Sequence, residues 1–159
     1  MQLRNVVERA IDALAIATFT GMFLCVFVQV VLRYGFDRPL VWSDELARYL
    51  FVWCAFLGWV IAARRRSHLV VNLFEGRLGP RGGAVFALVG AVATIAFAAI
   101  LLFYGIQITR RNADIDTVAL FFTFGTVYAI VPVAALAVGL YAGADGLAAL
   151  RALARRSAR

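Results

Sequence analysis

Only one group of ionisable side chains has a spacing that could do more than solvate a surface: Asp44, Glu45 and Arg48. On a helix, Arg48 falls three residues after Glu45 and four after Asp44, so all three charges share one face. That pattern suits an ion pair at a membrane boundary that eases helix insertion, or a polar contact with another membrane subunit or an external partner. An Arg at the bilayer centre costs roughly 2.5–3.5 kcal/mol on insertion scales, and less when paired near the interface. The lone His68 follows Arg64, Arg65 and Arg66. With no second His in the chain, it reads as a headgroup or helix-cap residue and not as a metal ligand. Cys25 and Cys54 sit inside apolar runs and read as small buried hydrophobes. The chain carries no zinc-ligand spacing, phosphate loop or nucleophile–base pair. It reads as neither an enzyme nor a cofactor protein.

The elements that must hold these residues are set by hydrophobicity. Of 159 residues, 64% are hydrophobic and the mean hydropathy is +0.87, well above the roughly half-apolar composition of soluble domains. The excess lies in four runs, residues 13–32, 46–63, 84–108 and 118–144. Each is near or above the roughly 20 residues a helix needs to cross a bilayer. Arg48 is the only charged residue within them. They are apolar on every face, unlike the alternating strands of a barrel. The predicted architecture is an all-α integral membrane protein, one membrane domain over 1–159 with four transmembrane helices. The first run lacks a cleavage pattern and is expected to be retained.

Local signals place the boundaries. Gly35 suits the end of the first helix, with Arg33 at the negative end of its dipole. Pro39 interrupts, Trp42 belongs at the headgroup level, and Ser43 is the expected N-cap of the second helix. Residues 69–78 are too short to span; their apolar spacing predicts a short amphipathic interfacial helix between the second and third spans, ended by Gly79-Pro80. Stripes of small residues, which allow close helix approach, occur at Cys54, Gly58 and Ala62, at Gly90, Thr94 and Ala98 with a second spacing of four at Ala87 and Ala91, and at Ala135, Gly139 and Gly143. Pro132 is expected to kink the fourth helix by leaving the Tyr128 carbonyl without its donor.

All 16 basic residues are Arg, and the net charge is +7. Five of them, Arg33, Arg38, Arg48, Arg110 and Arg111, belong to one side of a four-span arrangement; the other eleven belong to the side of both termini. The positive-inside rule then places the N- and C-termini in the cytoplasm. Contact with anionic lipid accounts for the basic charge without nucleic acid.

The midplane of the spans is Ala, Val, Leu, Phe and Gly. A carrier of its own substrate usually places an ionisable residue or a broken helix there. A haem-b anchor needs two axial histidines from its helices, and a small multidrug exporter needs a carboxylate in its first helix. What remains is a structural or interacting membrane subunit, and an anchor subunit of a respiratory or other inner-membrane complex is the alternative reading.

The series Leu32-Arg33-Tyr34, Trp42-Ser43-Asp44-Glu45, Arg48, Trp53, Gly58 and the run from Arg64 to His68 resembles the small membrane subunit (DctQ-like) of TRAP, tripartite ATP-independent periplasmic, transporters. Asp44 stands where that family usually has Glu, and Asn72 where it commonly has an acid. The resemblance implies a bacterial inner-membrane protein that scaffolds a large DctM-like transport subunit. That subunit imports an organic acid, usually with sodium, delivered by a periplasmic DctP-like binding protein; whether the outer loops touch that protein is left open. It also implies docking or interface roles for Arg33, Trp42, Asp44, Glu45, Arg48 and His68, and no catalytic residue.

Overall fold

The computed structural model describes the backbone of residues 2–38, 40–66 and 69–157, and side chains within these except at 2–5, 66, 69–81, 152 and 155–157. Five helices follow one another: α1 (Gln2–Gly35), α2 (Val41–Arg66), α3 (Leu69–Arg111), α4 (Phe124–Tyr128) and α5 (Ile130–Ser157). Among the described residues there is no strand, only an isolated bridge between Asp116 and Thr123. Four stretches are long and apolar enough to cross a membrane: Val6–Gly35, Val41–Arg65, Gly82–Arg111 and Phe124–Arg151. The protein is all-α with four spans, as the composition predicts.

Three boundaries differ from the sequence expectation. Residues 69–78 are helical, but they form the first turns of α3 and are not set apart by Gly79-Pro80. Pro80 withholds one backbone donor from a helix 43 residues long, and the helix continues through it. Residues 118–123 are not the start of the fourth span; they belong to a folded loop, and helix resumes only at Phe124. Apolar composition alone could not separate this loop from the span behind it. Ser43 is also not an N-cap, because α2 begins two residues earlier. Its hydroxyl, fully buried, donates back to the Leu40 carbonyl at 2.6 Å.

Two other local signals behave as physics suggests. α1 ends at Gly35, yet the left-handed residue of the turn is Asp37, at φ 52°. The Leu32 carbonyl accepts N–H groups from both Phe36 and Arg38 there, and Asp is among the few residues that tolerate that conformation. The helix break between α4 and α5 falls at Ala129. This is beside Tyr128, whose carbonyl loses its usual donor because Pro132 has no N–H.

The chain forms two compact units: 1–58 with 105–130, and 59–104 with 131–159. In the first, α1 and the start of α2 pack so that a Cβ on Gly21 would touch Leu50 at 3.8 Å, while the Cys25 thiol lies 3.5 Å from the Ser43 carbonyl. In the second, α5 buries Ala134, Ala135, Val138, Ala142 and Ala149, a helical stripe of small side chains. A Cβ on Gly139 would meet Ala98 at 3.6 Å, and one on Gly146 would meet Ala91 at 3.3 Å. Seven residues forward on α5 correspond to seven back on α3, so these helices pack antiparallel with a constant register. Trp59 and Phe97 meet edge to face, 5.8 Å between ring centroids.

Large apolar side chains point outward along every span, among them Phe23, Phe27, Phe51, Phe97, Phe103 and Leu140. Such an outer surface is stable against acyl chains and not against water.

Candidate interface site at the start of the second helix

The first two turns of α2 carry the charged cluster, and the structure sends its members to different partners. Asp44 is exposed, and its carboxylate accepts the amide N–H of Gln29 at 2.6 Å. Gln29 itself is buried in α1. This bond joins α1 to α2 at the end where Arg33 also lies; Arg33 is exposed. Trp42 is exposed, at 41%.

Glu45 does something the sequence spacing did not indicate. One oxygen of its carboxylate accepts the Tyr49 hydroxyl, one turn on, together with the Val118 backbone N–H at 3.1 Å. The other accepts the Ala119 backbone N–H at 2.7 Å. Arg48 is exposed and interacts with Glu45 through its charge. The cluster is therefore more than a local ion pair, because its central acid holds a segment more than seventy residues away in the chain.

That segment is a folded hairpin between α3 and α4. The Thr117 N–H reaches the Phe122 carbonyl at 3.1 Å, and the Phe124 N–H reaches the Ile115 carbonyl at 2.9 Å. The buried Thr117 hydroxyl lies 2.8 Å from the carbonyls of both Leu120 and Phe122. Asn112 closes the base by accepting the Gly125 N–H at 2.8 Å. Gly125 is required there: a Cβ would lie 2.7 Å from the Ala113 Cα. Tyr49 completes the joint, with its ring edge-on to Phe122 at 5.9 Å and to Phe124 at 5.8 Å. Gln29, Tyr49 and Thr117 were not evident as site residues from sequence. Their partners are distant in the chain, and no local spacing marks them.

The small-residue stripes divide by surroundings. Ala98, Ala135 and Gly139 are packed within the chain, as described above. Gly58 and Gly90 are exposed, and a Cβ at either, or at Gly143, would meet nothing within 4 Å. Ala62 is exposed, and Cys54 is half-buried with a free thiol. The Thr94 hydroxyl is spent on the Gly90 carbonyl at 2.8 Å. His68 lies outside the described residues. Among the described residues no group of three His, Cys, Asp or Glu side chains could hold a metal ion.

A family model for the DctQ component of tripartite ATP-independent periplasmic transporters matches residues 22–153, and so takes in the whole α1–α2 joint and the hairpin it holds. The chain belongs to the DctQ family. That family is a transporter membrane component and not an enzyme family, and the protein is accordingly a multi-pass protein of the bacterial inner membrane. Its relatives agree. A putative TRAP transporter small permease protein of Haemophilus influenzae is 39% identical over 83 residues, 52% of each chain. The sialic acid TRAP transporter small permease protein SiaQ of Vibrio cholerae is 25% identical over 118 residues, 74% of this chain and 68% of that one. The matched region thus spans about half to two thirds of these curated relatives. A shorter stretch of 54 residues is 37% identical to part of the sialic acid TRAP transporter permease protein SiaT of Haemophilus influenzae; it covers 34% of this chain but 9% of that protein.

Proposed function

We propose that this DctQ-family chain is the fixed, non-carrying membrane subunit of a three-part importer. In this reading a large DctM-like subunit moves an organic acid inward with sodium, and a periplasmic DctP-like protein delivers it. The chain acts as one membrane module, with both termini cytoplasmic and the α1–α2 and α3–α4 connections outside. The observation that carries the reading is the DctQ match over residues 22–153.

Two further facts support it. Part of the chain is matched inside a permease protein of which that part is only 9%, so related sequence occurs as one portion of a much larger permease polypeptide. Several polar groups within the described spans are also already engaged: the Thr18, Thr94 and Thr109 hydroxyls each bond a carbonyl one turn back. An alternating-access carrier needs a polar site open to each side in turn, and such a site fits the larger partner. Arg33, Trp42 and the Asp44–Arg48 group then serve in docking and placement at the outer boundary. The exposed small residues Gly58, Ala62 and Gly90 offer close approach for a neighbouring helix. Purification from mild detergent after co-expression tests the partnership. The account expects the large subunit to co-purify in fixed ratio with this chain; recovery of each alone would overturn it.

A further inference from the structure

The hairpin between α3 and α4 ends in Val118-Ala119-Leu120-Phe121-Phe122, a run without a charge. Its outward side chains are the most exposed large apolar groups among the described residues: Val118 at 91% and Phe121 at 98%. Surface loops in water normally present polar side chains and leave their backbone groups to solvent. This tip does the reverse. Its Val118 and Ala119 N–H groups go to Glu45, and its Leu120 and Phe122 carbonyls face the Thr117 hydroxyl. A tip that turns these four backbone groups inward while its apolar side chains point out suits a medium poor in hydrogen bonds.

Its height indicates the same medium. The second span begins at Val41, and Glu45 is one turn further in. Helical side chains tilt toward the helix N-terminus, which brings the carboxylate and the tip bound to it back to the level of Trp42. The exposed side chains of Val41 and Trp42 in α2, with Tyr34 at the end of α1, lie at this boundary too. Aromatic and apolar groups collect at that level because the ring or alkyl part meets acyl chains there.

We propose that the tip of this hairpin is a lipid anchor: Val118 and Phe121 insert at the headgroup–acyl boundary of the leaflet that holds the start of α2, and Glu45 is the positioning residue that makes the exposed tip compatible with lipid. The inference rests on the chain spanning a bilayer, and neither on its orientation nor on which subunit it assembles with.

The test is a spin label at Phe121→Cys in a Cys25→Ala, Cys54→Ala background, with the full chain in phosphatidylcholine–phosphatidylglycerol nanodiscs. A matching label at Asp114→Cys, near the base of the same hairpin, is the water reference. Collision with oxygen and with a water-soluble nickel chelate reports depth. The label at 121 is expected to favour oxygen, with several-fold less nickel accessibility than the label at 114. Adding Glu45→Ala is expected to bring the two labels close to parity, whereas an unchanged label at 121 would overturn the role given to Glu45. Nickel accessibility at 121 equal to that at 114 without that substitution would overturn the anchor. So would a label shielded from both reagents in the complex with the large subunit, since the tip would then be a protein seat.

Discussion

The carboxylate of Glu45 accepts the backbone N–H of Ala119 at 2.7 Å, joining the second turn of α2 to a hairpin 74 residues away in the chain. In an apolar surround an unbonded backbone N–H is costly, so this contact determines whether the hairpin can keep its shape. Replacing Glu45 by Ala should leave the four spans intact but speed amide hydrogen exchange across residues 117–122, with Gln giving a smaller change because it retains one acceptor oxygen. Hydrogen-exchange mass spectrometry reads this directly, and unchanged exchange at Val118 and Ala119 in the Ala variant would contradict the clamp.

Gly125 makes the second demand on the same hairpin. A methyl group there would sit 2.7 Å from backbone, where no flexible side chain can yield. Gly125→Ala should therefore destabilise the purified chain by about 1–3 kcal/mol, the usual cost of overpacking. The thermal midpoint in detergent checks this; a midpoint equal to that of the unaltered chain would be inconsistent with the close approach.

The span count was legible in the sequence because length and apolarity suffice to decide it, and the loop at 118–123 was not legible because it is as apolar as a span. The charged cluster at 44–48 was visible as a helical face. Its real engagements were not, since Gln29, Tyr49, Val118 and Ala119 meet it only once α1, α2 and the hairpin have packed. The stripe on α5 was readable at Ala135 and Gly139, and its partner face on α3 combines Ala98 of one readable spacing with Ala91 of the other. Of the expected Gly90–Thr94–Ala98 series, only Ala98 is buried. Small-residue spacing shows that a helix has a close-packing face, but in an alanine-rich helix it does not say which of several such faces is used.

Gly90 offers a way to separate folding from assembly. It is exposed, and a Cβ there meets nothing in the chain. Gly90→Leu should leave the isolated chain as stable or slightly more so, since leucine favours helix over glycine by up to about 1 kcal/mol. Recovery of the complex with the large subunit should fall at least several-fold if this face lies against it. Full recovery of the complex would place the docking face elsewhere.

The exposed Arg48 makes the corresponding electrostatic test. Arg48→Glu puts a third acid beside Asp44 and Glu45 and should weaken co-purification of the large subunit, while the isolated chain still inserts and expresses near normally. Poor insertion with normal docking of the surviving protein would assign Arg48 to membrane insertion instead.

The proposed orientation rests on the arginine distribution. Reporter fusions after Arg38 and Asn112 should report the outside, and fusions after Arg81 and Arg156 the inside. An inside signal at Asn112 would contradict the arrangement.

Reconstituted uptake tests the central claim most directly. Liposomes containing the large subunit together with this chain, supplied with the binding protein and an inward sodium gradient, should accumulate labelled organic acid, whereas liposomes containing this chain alone should stay at background. Uptake by this chain alone, or undiminished uptake by the large subunit without it, would contradict a subunit that is required for transport but carries nothing itself.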